Sequence, residues 1–216
     1  MEQRVVNNNI VILYQEDVSS LLLTDRVEAQ ISSIYREKEP VAVVNKFPGL
    51  QAIIVPQVQV SLILENNKLS ISDQTITPFA NRDTTKLMTL SRNVYDIINK
   101  GSVSYGFNFI FEIEDTFENL SSKFKTKFFK SNISRLLPEN SNSSFFFPSF
   151  GFMQDGIKTT YKIDNIVEGA TSSNTNRIRI SVNCHINHDL EELDVLIESY
   201  ELQGRNISSY ITSLLT

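Results

Sequence analysis

Two stretches of alternating side chains constrain this sequence more than any other feature. Val103, Tyr105, Phe107, Phe109, Phe111 and Ile113 fall on one parity, and Ser102, Ser104, Gly106, Asn108, Glu112 and Glu114 fall on the other. Ile110 is the one apolar residue on the polar parity. Successive side chains of a strand point to opposite faces, so this pattern predicts a strand with one buried aromatic face and one wet face. Arg177 to Asn187 repeats the pattern. Ile178, Ile180, Val182, Cys184 and Ile186 face one way, and Arg179, Ser181, Asn183, His185 and Asn187 face the other. Strands with a single apolar face belong to antiparallel sheets, which are covered on that face.

Weaker signals fill in the rest. Val58, Val60, Leu62 and Leu64 alternate, Asn66-Asn67 offers a turn, and Leu69 and Ile71 resume the alternation as a hairpin would. Ile10–Tyr14, Val41–Val44 and Ile157–Ile166 read as further strands, with Asp155-Gly156 as a turn and Pro48-Gly49 as an interruption. Three or four helices are expected. Asp25 opens one that Pro40 closes. Asp83 caps one running to Lys100-Gly101, and Asp115, with Glu118 as its capping partner, opens one that ends before Pro138. Asp189 caps the last, which Gly204 breaks. The fold expected is α+β: an antiparallel β-sheet packed on one face by amphipathic helices. A single domain over 1–216 is expected, with Pro138–Ser144 the candidate boundary between lobes.

The chain has 216 residues, 41% of them hydrophobic and 21% charged, so it can bury an ordinary core. Its formal net charge of −5 disfavours a nucleic-acid partner, which needs clustered Lys and Arg to displace counterions. Lys123, Lys125, Lys127 and Lys130 form the densest basic run and read as a solvated helix face, with Phe124 and Phe128 as core. The absence of a long apolar run argues against a membrane partner, and no signal-peptide pattern appears, so the cytoplasm is the expected location. Four Asn-x-Ser sequons, at Asn119, Asn132, Asn142 and Asn206, read as coincidence in an Asn- and Ser-rich chain.

Little in the sequence points to chemistry. The single cysteine, Cys184, excludes an intramolecular disulfide and a multi-cysteine zinc site. Cys184 and His185 are adjacent in a strand, so they project to opposite faces and cannot form a local nucleophile–base pair. His185 and His188 fit no established metal spacing, and Asp189 and Glu192 are accounted for by helix capping. Glu112 and Glu114 share a strand face, but carboxylates entering a helix N-terminus are favourable without any catalytic role. Glycine-rich nucleotide loops and the Gly-x-Ser-x-Gly hydrolase elbow are both absent. No cofactor and no metal is expected.

The remaining feature is aromatic. Phe145, Phe146, Phe147, Phe150, Phe152 and Met153 sit in a stretch that shows neither the helical nor the strand period. Such a segment either plugs the core or forms an apolar patch for a partner. The leading expectation is a non-enzymatic protein-interaction or self-assembling protein that binds through this segment and a sheet edge. A small-ligand binder or enzyme with a pocket between sheet and helices is the alternative, with His185, Glu112 and Tyr105 as its first candidates. A regulatory or defence-type component acting with another chain is the third.

Overall fold

The structure, a computed structural model, describes residues 2–18, 43–56, 59–85, 87, 91, 101–116, 149–166, 175–188 and 193–215. These form one nine-stranded sheet, antiparallel throughout, and one long helix. The strands are β1 (Glu2–Tyr14), β2 (Val43–Phe47), β3 (Leu50–Val55), β4 (Val60–Glu65), β5 (Lys68–Asp73), β6 (Ser102–Thr116), β7 (Ser149–Gln154), β8 (Ile157–Ile166) and β9 (Thr175–Ile186). The helix is α1 (Leu193–Leu215). Across the sheet the order is β2-β3-β4-β5-β1-β6-β9-β8-β7. The first strand therefore lies in the middle, between two groups of four.

The alternation in β9, and in β6 from Tyr105 onward, is used for burial. Tyr105, Phe107, Phe109, Phe111 and Ile113 are buried beside Ile178, Ile180, Val182, Cys184 and Ile186, on the face that α1 covers. Val103 departs from expectation and is 41% exposed, while Ser102 and Ser104 are buried. The β1–β6 register slips between Leu13 and Tyr14, leaving Val103 as the extra residue of a bulge. A second slip makes Val6 the extra residue of β1. It moves the buried parity from Val5 to Asn8, Ile10, Ile12 and Tyr14. That switch hides the N-terminal half of the strand from a periodicity argument.

Other boundaries move for local reasons. Asp115 does not begin a helix: β6 continues through Asp115 and Thr116, which pair with Asn176 and Thr175. Pro48-Gly49 is a hairpin turn joining β2 to β3, with Gly49 at φ +73°. Residues 149–154 form a strand because Asp155 (φ +50°) and Gly156 (φ +78°) supply the two positive-φ positions of a tight turn into β8. Thr85, Leu87 and Ser91 are helical, and Asp83 Oδ1 accepts from the Thr85 amide at 3.1 Å as a cap would. The remainder of that helix, the helices expected after Asp25 and over 117–137, and Pro138–Ser144 lie outside the described residues. So do Asp189 and Glu192.

Gly204 does not break the last helix, which runs through it to Leu215. Its role is close approach. A Cβ there would lie 1.9 Å from Cζ of Phe79, in the 3₁₀ turn Phe79–Asn81. Phe79 meets Phe109 edge-on at 5.9 Å, and Tyr200 stacks on Phe109 at 5.4 Å. Leu196, Tyr200, Ile207 and Ile211 complete the buried stripe of the helix. Gln3 fixes the far end, donating to Ser208 Oγ at 3.1 Å and accepting from Thr212 Oγ1 at 2.9 Å.

The Phe79 turn is held by a buried ion pair. Arg82 Nη1 lies 2.8 Å from Asp73 Oδ2, with the side chains only 1% and 2% exposed. The same nitrogen donates to Asn8 Oδ1 at 2.7 Å, and Nη2 donates to the carbonyls of Val5 and Thr75. Arg82→Met should lower the unfolding free energy by about 3–5 kcal/mol, read from the urea midpoint, because Asp73 is left charged and unpaired in the interior. Gly204→Ala would gain roughly 1 kcal/mol in an open helix. Here it should destabilise by about 1–3 kcal/mol through overpacking. Phe79→Leu in the same chain should recover part of that loss.

Candidate functional site

The phenylalanine-rich segment divides at the edge of the sheet. Phe145, Phe146 and Phe147 lie outside the described residues. Phe150, Phe152 and Met153 belong to β7, which among the described residues pairs only with β8. Phe150 and Phe152 are on the helix-covered face, and both stack on Tyr161 of β8, at 5.1 and 6.0 Å. Met153 is on the other face and is 72% exposed. An edge strand with little cover on either side has no reason to alternate, which is why the strand period is missing there.

Between the β7–β8 hairpin and α1 runs a groove of about 310 Å³. Its walls are Phe152, Ile157 and Tyr161 from the hairpin and Leu202, Ile207 and Tyr210 from the helix. Gln154, Asp155, Thr159, Gln203 and Asn206 add polar groups, Asp155 a charged one. Tyr210 meets Tyr161 at 5.3 Å and closes one end. Phe152 and Leu202 remain 44% and 50% exposed, so the groove presents apolar surface to solvent beside a strand that, among the described residues, pairs with β8 alone. The helical half of the groove was not legible in the sequence. Tyr210 looks like an ordinary member of an amphipathic stripe and Leu202 falls off that stripe, and only the position of the helix over β8 makes them walls.

The other candidates disperse. Cys184 is fully buried beneath α1, and His185 projects from the opposite face across from Gly106. Glu112 is six residues along β6 from Gly106, roughly 20 Å away at strand rise. Its carboxylate is engaged by Arg179 at 2.8 Å and Arg4 at 3.7 Å. Tyr105 is on the helix face, packed edge-on against His188 at 5.5 Å. His185, Glu112 and Tyr105 therefore form no common site, and none of them lines the groove. Among the described residues no three His, Cys, Asp or Glu side chains gather as a metal-binding group. No described helix is long and apolar enough to cross a membrane.

The face away from α1 carries an amide ladder. Asn183 donates to Asn108 at 2.6 Å, and Asn108 donates to Asn9 at 2.7 Å, so one polar row spans β9, β6 and β1. It satisfies side chains that the alternation places on this face. No protein-family model matches the chain, and no curated protein matches its sequence.

Burial pushes the Cys184 thiol from 9.0 up to about 11, opposed by its contact with Thr159 Oγ1 at 3.8 Å. Burial also raises the phenols of Tyr161 and Tyr200 above the ordinary tyrosine value of 10.0. The raised values mean that the folded chain holds these protons where the unfolded chain releases them. Their contribution to stability is complete below pH 9 and falls as pH rises, for Cys184 between about 9 and 11. The cysteine part amounts to about 2–3 kcal/mol. Urea midpoints measured across this range should fall less steeply for Cys184→Ala than for the native chain. The native thiol should be inert to thiol reagents at pH 8 until the chain unfolds.

Proposed function

We propose that this chain is a non-enzymatic interaction protein that receives a polypeptide at the β7 edge and the adjoining groove. The observation that carries this reading is the pairing of two features. A short uncharged edge strand lies directly beside a groove of mixed lining whose apolar walls Phe152, Leu202 and Tyr210 are partly exposed. An extended segment laid along β7, which among the described residues pairs with β8 alone, would add main-chain hydrogen bonds. Its alternate side chains would drop into the groove against the tyrosines. Backbone pairing would supply affinity, and the aromatic walls would supply selectivity.

The groove's place between sheet and helix also supports a second reading, an apolar small-molecule binder. Its volume stands at the low end of the roughly 300–1,000 Å³ typical of ligand pockets. Native mass spectrometry of the purified chain separates the two readings, since a retained small molecule would appear as a discrete added mass.

The test of the leading reading uses Phe152→Ser combined with Leu202→Ser. Both side chains are well exposed, so the fold should persist, which circular dichroism will check. Loss of one aromatic anchor typically costs about 2 kcal/mol or more, roughly a 30-fold weakening. The double variant should therefore lose either its self-association or a protein captured by the native chain. If its solution mass and its set of captured proteins both equal those of the native chain, this reading fails.

A further inference from the structure

We infer that the groove selects a cation, the ammonium group of a lysine side chain on the polypeptide received there. The inference rests on the interaction reading above for the presence of a polypeptide. Its chemistry rests on the groove and not on how β7 pairs.

The first observation is charge. Among the described residues that line the groove, Asp155 is the only charged one, and they include no Lys, Arg or His. Asp155 sits in the tight turn between β7 and β8 and is exposed. An anionic group would meet this carboxylate with no base to compensate, whereas a cation meets it favourably. An exposed carboxylate holds a cation only weakly by itself. The other walls supply the remainder.

The second observation is aromatic. Phe152 and Tyr210 both contact Tyr161, at 6.0 and 5.3 Å between ring centres, with planes inclined to it by 28° and 59°. Three rings are thus gathered along one stretch of the groove. The face of each ring is negative, and a cation within about 6 Å of a ring centre is attracted to it. Phe152 and Tyr210 are 44% and 38% exposed, so a group arriving from solvent reaches them.

The third is the match to an amphipathic side chain. Ile157, Leu202 and Ile207 supply apolar wall for a methylene stem, which lysine buries while its head keeps polar partners. The ammonium has three N–H groups to donate. Gln154, Gln203 and Asn206 bring amide oxygens to the same lining, and each can accept. A neutral aliphatic side chain would use the stem contacts alone.

The experiment is an NMR titration of the full chain with two probes, lysine and norleucine, each blocked as the N-acetyl, N-methylamide derivative. Norleucine has the same four-carbon stem and lacks the ammonium. The lysine probe should bind roughly ten times more tightly. Asp155→Asn should weaken the lysine probe about threefold and leave norleucine unchanged. The turn should persist in that variant, because asparagine tolerates the positive φ of position 155. Tyr210→Leu keeps apolar bulk while removing one ring, and should weaken lysine more than norleucine. Asp164→Asn, on β8 but outside the groove lining, removes the same charge and should leave both probes unchanged.

Norleucine binding as tightly as lysine would overturn the inference, and so would a chain that binds neither probe. An Asp164→Asn effect equal to that of Asp155→Asn would also overturn it. In each case, capture of a polypeptide that Phe152→Ser with Leu202→Ser abolishes would leave the interaction reading standing. A chain that prefers the lysine probe through Asp155 yet captures no polypeptide would instead sink the interaction reading, and with it the polypeptide as the source of the cation.

Discussion

The contact between Arg82 and Asp73 sits where the two halves of the sheet join. Asp73 ends β5, and Asn8 and the Val5 carbonyl belong to β1. One guanidinium reaches all three, together with the Thr75 carbonyl, in a place almost free of water. An isolated buried charge would cost several kcal/mol, and the carboxylate together with the acceptors around Nη1 and Nη2 offsets that. Because Arg82 is fixed, the 3₁₀ turn before it is fixed, and Phe79 is presented at one depth. Gly204 then determines how closely α1 can lie over Phe109. The position of the groove over β8 follows from this chain of contacts.

Periodicity exposed the parts of this architecture that rest on repetition. The buried faces of β9, of β6 beyond the Val103 bulge, and of β4 and β5 could be read because the apolar side chains keep one parity there. The β1 bulge at Val6 changes parity within a strand, so Val5 and Ile10 looked unrelated. Arg82 gave no signal at all, since an arginine after Asn81 reads as a surface loop until its acceptors are brought together in space. Gly204 misled because glycine usually ends helices, and only contact with Phe79 explains one inside a helix. The segment around Phe150 carried a true signal, a lack of period, whose meaning depended on its being an edge.

The candidate site shows the same division. Phe152 and Met153 could be picked out by composition. Tyr161, Leu202 and Tyr210 could not, because each satisfies the pattern of its own element. A groove is a relation between elements, and single-sequence patterns describe elements one at a time. The dispersal of His185, Glu112 and Tyr105 has the same origin: proximity in chemical type did not become proximity in space once strand parity and register were fixed.

The central place of β1 has a consequence for how the sheet is made. The strand synthesised first is flanked by β5 and β6, and its pairing of Asn9 with Asn108 spans 99 residues. The β2–β5 group can close through local hairpins as it emerges. β1 can pair with β5 once that group has closed, but its other edge must wait until β6 has left the ribosome. Such long-range pairing makes for slow folding, and it leaves an apolar strand available to wrong partners during that delay. The polar Asn7-Asn8-Asn9 run within β1 tempers this exposure, since it interrupts what would otherwise be a continuous apolar strand during the interval before its neighbours arrive.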